Sequence, residues 1–228
     1  MDPQSKSDDL LREALVGGLL GAYAQGLFPM AHPGPDGQRG PICWYNPDPR
    51  GVFGLGDGGL TVSRSLRQRV RSGRFEVTCD ADFEGVMRAC AEPRDDDGTW
   101  IDDRIVAAYT ALHGAGYAHS LEAWHEGRLV GGLYGVHLRG LFAGESMFSR
   151  PEQGGTDASK VCLVHLWHHL RSIGAVILDT QFWTPHLASL GCCEIGVAEY
   201  HRVLERALAS DVVWGDFDPS FAVDRPEA

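Results

Sequence analysis

Residues 129–149 read L-V-G-G-L-Y-G-V-H-L-R-G-L-F-A-G-E-S-M-F-S and decide the fold of this chain. Residues 129–142 alternate in a manner that is typical of a β-hairpin. Residues 144–149 then place one carboxylate and two hydroxyls beside two large apolar side chains. A glutamate on a half-buried strand needs a partner that offsets its desolvation. Glu145 is therefore either an edge residue that points into water or a member of a polar site built from several segments.

Helices and strands are predicted on both sides of this hairpin. Residues 118–124 form a strand that pairs with residues 129–136 across a turn. Residues 31–59 are rich in glycine and proline, which is typical of turns that join short strands. The other predicted elements are helices at residues 10–25, 64–74, 82–90, 100–113 and 158–172, strands at residues 75–78 and 176–178, a turn at residues 95–98, and a last turn and helix that start at residues 184–190; residues 7–9 are predicted to cap the first helix.

The order of these elements predicts an α+β fold with a mixed sheet. A small N-terminal domain is expected over residues 1–60. A larger domain is expected over residues 61–228, and its order of elements resembles that of the GNAT acyltransferases. A chain of 228 residues is long enough for one large domain or two unequal ones.

The composition is that of a globular protein, with 43% hydrophobic and 22% charged residues. No apolar run reaches the length of a membrane span, and residues 1–9 are too polar and acidic for a secretory signal peptide. Six cysteines are scattered without the spacing of a small disulfide-bonded domain. Reduced thiols and a cytoplasmic location are therefore expected.

The charge distribution contains one strongly basic segment in an acidic chain. The net charge of -11 argues against a general nucleic-acid coat, because phosphate binding needs local positive potential. Residues 63–75 nevertheless contain five arginines and no acidic residue. This segment is either a solvated amphipathic helix or a patch that faces phosphates. The arginines are Arg64, Arg67, Arg69, Arg71 and Arg74.

Neither a metal site nor a coenzyme A site is expected. His165 and His169 have the spacing of zinc ligands on a helix, but Leu166 occupies the place of the metalloprotease glutamate, so a solvated histidine face is predicted instead. The closest string to a coenzyme A pyrophosphate loop, residues 171–176, lies at a helix end, where the dipole repels phosphate. No cofactor is therefore predicted.

A polar cluster is predicted where a buried strand ends. Asp179 follows the apolar run at residues 176–178, and Gln181 lies two residues later, on the same face. If Glu145 lies on the neighbouring strand, these three residues converge in a pocket typical of small ligands. The alternative is that Asp179 caps a turn and Gln181 is exposed. The apolar walls of the pocket would be Leu133, Met147, Leu166 and Leu178.

Over nearly its whole length, the chain resembles the leucyl/phenylalanyl-tRNA-protein transferases of bacteria. Each matching segment is short, but eight of them occur in the order of the family. They are residues 22–29 (A-Y-A-Q-G-L-F-P), 44–50 (W-Y-N-P-D-P-R), 98–101 (G-T-W-I), 119–122 (H-S-L-E), 129–136 (L-V-G-G-L-Y-G-V), 144–149 (G-E-S-M-F-S), 158–160 (A-S-K) and 178–181 (L-D-T-Q).

The resemblance implies a GNAT-like domain in which aminoacyl-tRNA replaces acyl-CoA. Such enzymes transfer leucine, phenylalanine and, less readily, methionine to proteins that begin with arginine or lysine, which marks them for degradation. Asp179 and Gln181 would then lie at the reacting ester, and Glu145 would hold the aminoacyl amino group. The other implied sites are a substrate site of Leu133, Met147, Leu166, Leu170, Leu178 and Ser149, an adenosine site of Tyr23, Trp100 and Tyr109, and tRNA phosphate contacts from Arg64, Arg67, Arg71 and Arg74.

The chain also departs from the family pattern. Met30 stands where a family member has tryptophan, Leu166 and Leu170 stand where it has phenylalanine, and Leu133 stands where it has methionine. The loss of two rings implies a pocket of different shape, so the preference among leucine, phenylalanine and methionine stays open. A CoA-dependent N-acetyltransferase and a non-catalytic tRNA-binding module are the alternative functions.

Overall fold

The structure is a computed structural model that describes residues 3–35, 38–93 and 98–220, with side chains from residue 9 onward. The helices are α1 (Pro3–Tyr23), α2 (Arg64–Arg71), α3 (Phe83–Ala91), α4 (Asp103–Gly114), α5 (Ala158–Ser172), α6 (Pro185–Ala188) and α7 (Val197–Leu208). The strands are β1 (Phe28–Pro33), β2 (Arg39–Tyr45), β3 (Arg50–Phe53), β4 (Glu76–Cys79), β5 (Ala118–His125), β6 (Arg128–Leu138), β7 (Leu141–Ser149), β8 (Ile177–Gln181) and β9 (Cys193–Ile195).

A seven-stranded mixed sheet in the order β4-β5-β6-β7-β8-β3-β9 forms the centre of the molecule, and β1 and β2 form a separate hairpin. Strands β7 and β8 pair in parallel, while the other strand pairs are antiparallel. The parallel connection is made through α5, as a parallel pair requires a crossover. The predicted α+β class with a mixed sheet is confirmed.

The sheet has an apolar core on each face because side chains of a strand alternate between the faces. On one face, Leu133 of β6 packs with the apolar sides of α2 and α5. On the other face, Tyr134 of the same strand packs with α1, α3 and α4. A third, smaller cluster joins Tyr200 and Leu204 of α7 to the sheet. Among the described residues, no helix is both long enough and apolar enough to span a membrane.

The predicted hairpin forms, and it contains a β-bulge at the residue that the sequence singled out. Tyr134 of β6 pairs with Ser146, and the next residue, Gly135, pairs with Gly144, so Glu145 is the extra residue of β7. A Cβ atom at residue 135 would lie 2.3 Å from the carbonyl oxygen of Ala143. Glycine is therefore needed where the bulge brings the two strands together. Bulges of this kind re-aim a side chain, often beside an active site.

Several predicted boundaries were wrong or fall outside the described chain. Residues 7–9 do not cap α1, because the helix begins at Pro3. The predicted helix at residues 100–113 begins at Asp103, where the side chain of Asp102 accepts hydrogen bonds from the first turn. Residues 95–97 of the predicted turn lie outside the described residues. The domain division at residue 60 stays a prediction; β3, which precedes it, is a strand of the large sheet.

The histidines of α5 do not form the predicted solvated face. His165, His168 and His169 are all buried. Trp214 lies against His169, with ring centroids 4.4 Å apart, and Phe217 lies against His165 at 6.3 Å. The segment that follows α7 therefore covers this face of the helix.

Candidate active site

An apolar pocket opens beside the bulge of β7. It has a volume of about 100 Å³ and is lined by residues of β6, β7, α5, β8 and α6. The structure brings together four of the predicted wall residues, Leu133, Met147, Leu166 and Leu178. Leu170 lies one turn beyond Leu166 on α5 and is fully buried in the core, outside the lining of the pocket. The sequence interpretation missed the other lining residues, which are Tyr134, Gly144, Ser146, Leu163, Thr180 and Leu187.

Two buried tyrosines hold Glu145 at this pocket. The hydroxyl of Tyr23 on α1 donates to Oε1 of Glu145 at 2.7 Å, and the hydroxyl of Tyr109 on α4 donates to Oε2 at 3.2 Å. The two hydroxyls also contact each other. Burial raises the pKa of Glu145 to about 7, although the hydrogen bond from Tyr23 opposes the rise. The carboxyl therefore changes its charge near neutral pH.

The burial of Tyr23 and Tyr109 does not match the adenosine site that was expected for them. Tyr23 and Tyr109 are 1% and 0% exposed, so their rings present no face to a ligand in this conformation. Their contacts connect them to Glu145 instead. Trp100 is partly buried, and its carbonyl oxygen accepts a hydrogen bond from the backbone of Ala31. A contact between Trp100 and the terminal adenosine stays a prediction.

Asp179 forms a buried ion pair with Arg50 that the sequence interpretation missed. Nε of Arg50 donates to Oδ1 of Asp179 at 2.9 Å, and Nη2 donates to Oδ2 at 2.7 Å. Both side chains are 1% exposed. The hydroxyl of Tyr200 on α7 donates to Oδ2 at 2.8 Å. Arg50 and Asp179 lie on adjacent antiparallel strands, β3 and β8, so the pair depends on the sheet register.

Arg50 also connects the N-terminal segment to the sheet. Its Nη1 donates to the carbonyl oxygen of Gly26 at 2.8 Å, just after α1. Its guanidinium lies between two aromatic rings, 5.1 Å from the centroid of Phe28 and 4.4 Å from that of Tyr200. Burial acts to lower the pKa of Arg50, but the Asp179 carboxylate offsets this and the pKa is raised. Arg50 therefore stays positively charged.

Gln181 ends β8 in a left-handed conformation, with φ of 58°. Its backbone N–H donates to Oδ1 of Asp179 at 2.9 Å, so the aspartate fixes the turn through the backbone. The side-chain amide lies 3.5 Å from Oε1 of Glu145. Its nitrogen finds two acceptors, the carbonyl oxygens of Thr180 and Gly144, when the amide is turned toward them at 3.0 and 2.8 Å. The amide of Gln181 thus lies beside Glu145, while the Asp179 carboxylate points toward Arg50.

Ser149 lies at the far end of β7 and anchors α5. Its hydroxyl donates to the hydroxyl of Ser159 at 2.9 Å and accepts from the backbone N–H of Ser159 at the same distance. It lines a neighbouring groove that shares Met147 with the apolar pocket and also includes Lys160 and His186. The role of Ser149 in substrate binding stays a prediction.

The arginine-rich segment forms α2 as predicted, and Arg74 follows it. Leu66 and Val70 are buried, while Arg64, Arg71 and Arg74 are exposed and Arg67 and Arg69 are partly buried. Nη2 of Arg74 donates to the carbonyl oxygen of Gly154 at 3.1 Å. Within the described residues, none of these arginines forms an ion pair with a carboxylate. Their positive charge is therefore available to an anionic partner.

The described part of the chain contains no group of three histidine, cysteine, aspartate or glutamate residues that is placed to hold a metal ion. The site consists instead of a carboxyl, an amide and an apolar pocket. Such a site can bind an apolar side chain and orient two reacting groups at its mouth, and it offers one titratable group for proton transfer.

Comparisons with protein families identify relatives of this chain. Residues 55–205 match the family described as leucyl/phenylalanyl-tRNA protein transferase, and residues 15–48 match the N-terminal domain of the same family. A leucyl/phenylalanyl-tRNA-protein transferase of Ruegeria pomeroyi is 51% identical over 83% of this chain and 85% of its own length. Enzymes of the same name from Herpetosiphon aurantiacus and Gluconobacter oxydans are each 50% identical, over 83% and 87% of this chain and 92% and 84% of their own lengths.

Two solved structures also align with the chain. The L-PGS structure from Bacillus licheniformis aligns with a TM-score of 0.40 and 12% identity, over 73% of this chain and 53% of its own. A ribosomal-protein-alanine N-acetyltransferase from Brucella melitensis aligns with a TM-score of 0.31 and 19% identity, over 63% of this chain and 96% of its own.

Proposed function

Because the chain belongs to the leucyl/phenylalanyl-tRNA-protein transferase family, we propose that it transfers leucine, phenylalanine and, less readily, methionine from aminoacyl-tRNA to acceptor proteins. The acceptors are proteins that begin with arginine or lysine, and the transfer marks them for degradation in the cytoplasm. The observation that supports this best is the apolar pocket that ends at Glu145, with the amide of Gln181 3.5 Å from that carboxyl.

The reaction is the aminolysis of an activated ester, so the enzyme needs no nucleophile of its own. Holding the amine and the ester together in the right geometry contributes on the order of 7–11 kcal/mol in well-oriented systems. The pocket takes the side chain of the transferred amino acid, and the ester then lies at its mouth. Gln181 orients the carbonyl or the amine, and Asp179 holds the Gln181 turn through its backbone N–H.

One assay separates this function from its alternatives. Radiolabelled leucyl-tRNA or acetyl-CoA is mixed with a peptide that begins with arginine, and with a matched peptide that begins with glycine. Transfer from leucyl-tRNA to the arginine peptide alone is the expected result. Transfer from acetyl-CoA would identify an N-acetyltransferase, and tRNA binding without transfer would identify a non-catalytic module.

The pocket wall predicts how the enzyme discriminates among amino acids. Leu166 is buried at the pocket, so Leu166→Phe is expected to fill part of its volume and to lower phenylalanine transfer relative to leucine transfer. A change of this size in a hydrophobic pocket is worth about 1–3 kcal/mol, or roughly 10–200-fold in kcat/KM. The measurement is kcat/KM for leucyl-tRNA and phenylalanyl-tRNA. Leu166→Met conserves the side-chain volume and is the control. If Leu166→Phe lowered kcat/KM equally for leucyl-tRNA and phenylalanyl-tRNA, the side chain of the transferred amino acid would bind outside this pocket.

The arginines of α2 are expected to contact tRNA phosphates. The double reversal Arg64→Glu and Arg71→Glu should weaken tRNA binding and reduce the slope of log K against log salt by about 1–2, since each lost phosphate contact contributes slightly less than one. The measurement is a binding titration at several salt concentrations.

The matched control for this patch is on α7. Arg202 and Arg206 are also exposed and lie four residues apart on a helix, so Arg202→Glu with Arg206→Glu produces the same change in net charge. The control should leave the salt slope nearly unchanged. Equal effects of both double reversals would mean that net charge, and not the patch on α2, determines tRNA binding.

A further inference from the structure

We propose that Glu145 accepts the proton which the attacking amine loses and returns it to the leaving ribose oxygen, while Arg50 keeps Asp179 out of proton transfer. This inference rests on the proposed function and goes beyond it, because it assigns the acid-base step to one carboxyl of the site. It gives Glu145 a role beyond the expected one of holding the aminoacyl amino group, and it makes Asp179 a positioning residue.

Asp179 has no acceptor position left for a proton. Its Oδ1 accepts from Nε of Arg50 and from the backbone N–H of Gln181, and its Oδ2 accepts from Nη2 of Arg50 and from the hydroxyl of Tyr200. A carboxylate has about four lone-pair sites, so these four bonds saturate it. The residue is also 0% exposed. Protonation of Asp179 would leave the buried charge of Arg50 uncompensated, which is costly.

Glu145, unlike Asp179, can accept a further proton at the pocket. Tyr23 donates to its Oε1 and Tyr109 to its Oε2, and the amide of Gln181 lies 3.5 Å from Oε1, so at least one of its four lone-pair sites is open. It lines the pocket where the ester must lie. In the described parts of the chain, no lysine, arginine or histidine forms an ion pair with it. A carboxylate that is hydrogen-bonded by neutral donors alone can take up a proton without breaking an ion pair.

The groups around Glu145 come from six elements. They are Tyr23 of α1, Tyr109 of α4, Tyr134 of β6, Asp179 of β8, Arg50 of β3 and Tyr200 of α7. The phenols stay neutral because burial raises the pKa of Tyr23, Tyr109 and Tyr134 well above its usual range. Asp179 and Arg50 carry opposite charges and form one pair. Burial of Glu145 therefore dominates, and its pKa of about 7 suits a group that first accepts and then donates a proton.

Glu145 carries one proton from the attacking nitrogen to the leaving oxygen in two stages. The free amine of the acceptor attacks the ester carbon, a C–N bond forms, and the nitrogen of the tetrahedral adduct becomes positively charged. The carboxylate of Glu145 removes a proton from that nitrogen. As the bond between carbon and the ribose oxygen breaks, the protonated Glu145 delivers the same proton to that oxygen. The products are a peptide bond and a ribose hydroxyl, and Glu145 returns to its starting charge.

The test is the pH dependence of single-turnover transfer between pH 6 and 9, with pre-bound leucyl-tRNA and a subsaturating arginine peptide. Two groups must then be deprotonated, the acceptor amine with a pKa of about 7.7–8.0 and Glu145. In the wild type, log rate should rise with a slope of two below pH 7 and a slope of one between pH 7 and about 8, and it should level off above the pKa of the amine. Glu145→Gln should have a slope of one from pH 6 to about 8 with no break near pH 7, and a rate about 10²–10⁴-fold lower at pH 8.

Two further variants separate chemistry from structure. Asp179→Asn, if Asp179 only positions the turn, should retain the slope of two even where its rate is reduced. Tyr109→Phe removes one hydrogen bond from the charged carboxylate of Glu145 and should move the change of slope near pH 7 to higher pH. The part of the profile that reports the pKa of the acceptor amine should not move. A folded Glu145→Gln enzyme that keeps the slope of two would overturn the proposal, as would an unmoved profile in Tyr109→Phe. Absence of transfer by the wild type would instead refute the proposed function.

Discussion

Replacing Arg50 by methionine is expected to lower the free energy of unfolding by about 3–5 kcal/mol and to remove measurable transfer activity. The substitution leaves the Asp179 carboxylate buried without its cation, and it removes the link between Gly26 and the sheet. The Gln181 turn then loses its fixed acceptor, because Asp179 must find new partners. The measurements are urea denaturation at pH 7 and single-turnover transfer.

Two control variants test whether the loss of stability comes from the buried ion pair. Arg88→Met breaks an ion pair with Glu84 on the surface of α3 and should cost less than about 1 kcal/mol, since exposed pairs contribute little. The double variant Arg50→Met with Asp179→Leu removes both charges and should recover much of the lost stability without recovering transfer. A loss below about 1 kcal/mol in Arg50→Met would mean that water or another group compensates Asp179.

Much of the fold and part of the site could be predicted from the sequence, because the signals are local. The alternation at residues 129–142 predicted the hairpin, and the apolar spacing at residues 158–172 predicted α5. Four of the pocket residues were found because they lie on these elements and on β8. The end of the buried run at residues 176–178 predicted the polar cluster of Asp179 and Gln181, with a turn cap and an exposed residue as the alternative, and the resemblance to the family added their place at the reacting ester.

The ion pair and the bulge could not be predicted in the same way. Arg50 and Asp179 are 129 residues apart, and their contact depends on the pairing of β3 with β8. Arg50 follows a proline-rich segment that is typical of turns, so nothing local indicated a buried cation. The bulge depends on the register between β6 and β7, and an alternating pattern does not encode one extra residue.

The buried histidines were missed for a related reason. The face of α5 that carries His165 and His169 is polar by sequence, so its periodicity predicts contact with water. The residues that cover it, Trp214 and Phe217, belong to a segment of irregular structure after α7. The sequence of such a segment has no hydrophobic periodicity that predicts where it will pack. The structure thus contains imidazoles that are buried against aromatic rings rather than hydrated.

Burial of two histidines, His165 of α5 and His137 of β6, predicts a loss of stability in acid. Burial lowers the pKa of His137 and of His165 to about 4 in each case. An unfolded chain binds these protons near pH 6.5, so it holds more protons than the native state between pH 4 and 6.5. Each histidine therefore contributes stability that is complete above pH 6.5 and is lost as the pH falls to 4, by about 3 kcal/mol. Glu145, whose pKa is raised, acts in the opposite direction between its unfolded pKa and about 7.

A difference measurement isolates one histidine from these opposing groups. The Nδ1 atom of His165 is buried and has no hydrogen-bond partner among the described residues, so His165→Phe removes a titrating group without breaking a hydrogen bond there. Relative to the wild type, the variant should gain about 3 kcal/mol in unfolding free energy between pH 6.5 and 4. His186→Asn, which removes an imidazole at an exposed position, is the matched control. If the difference in unfolding free energy between His165→Phe and the wild type did not change from pH 6.5 to 4, the segment with Trp214 and Phe217 would have to open and admit water to His165 before the protein unfolds.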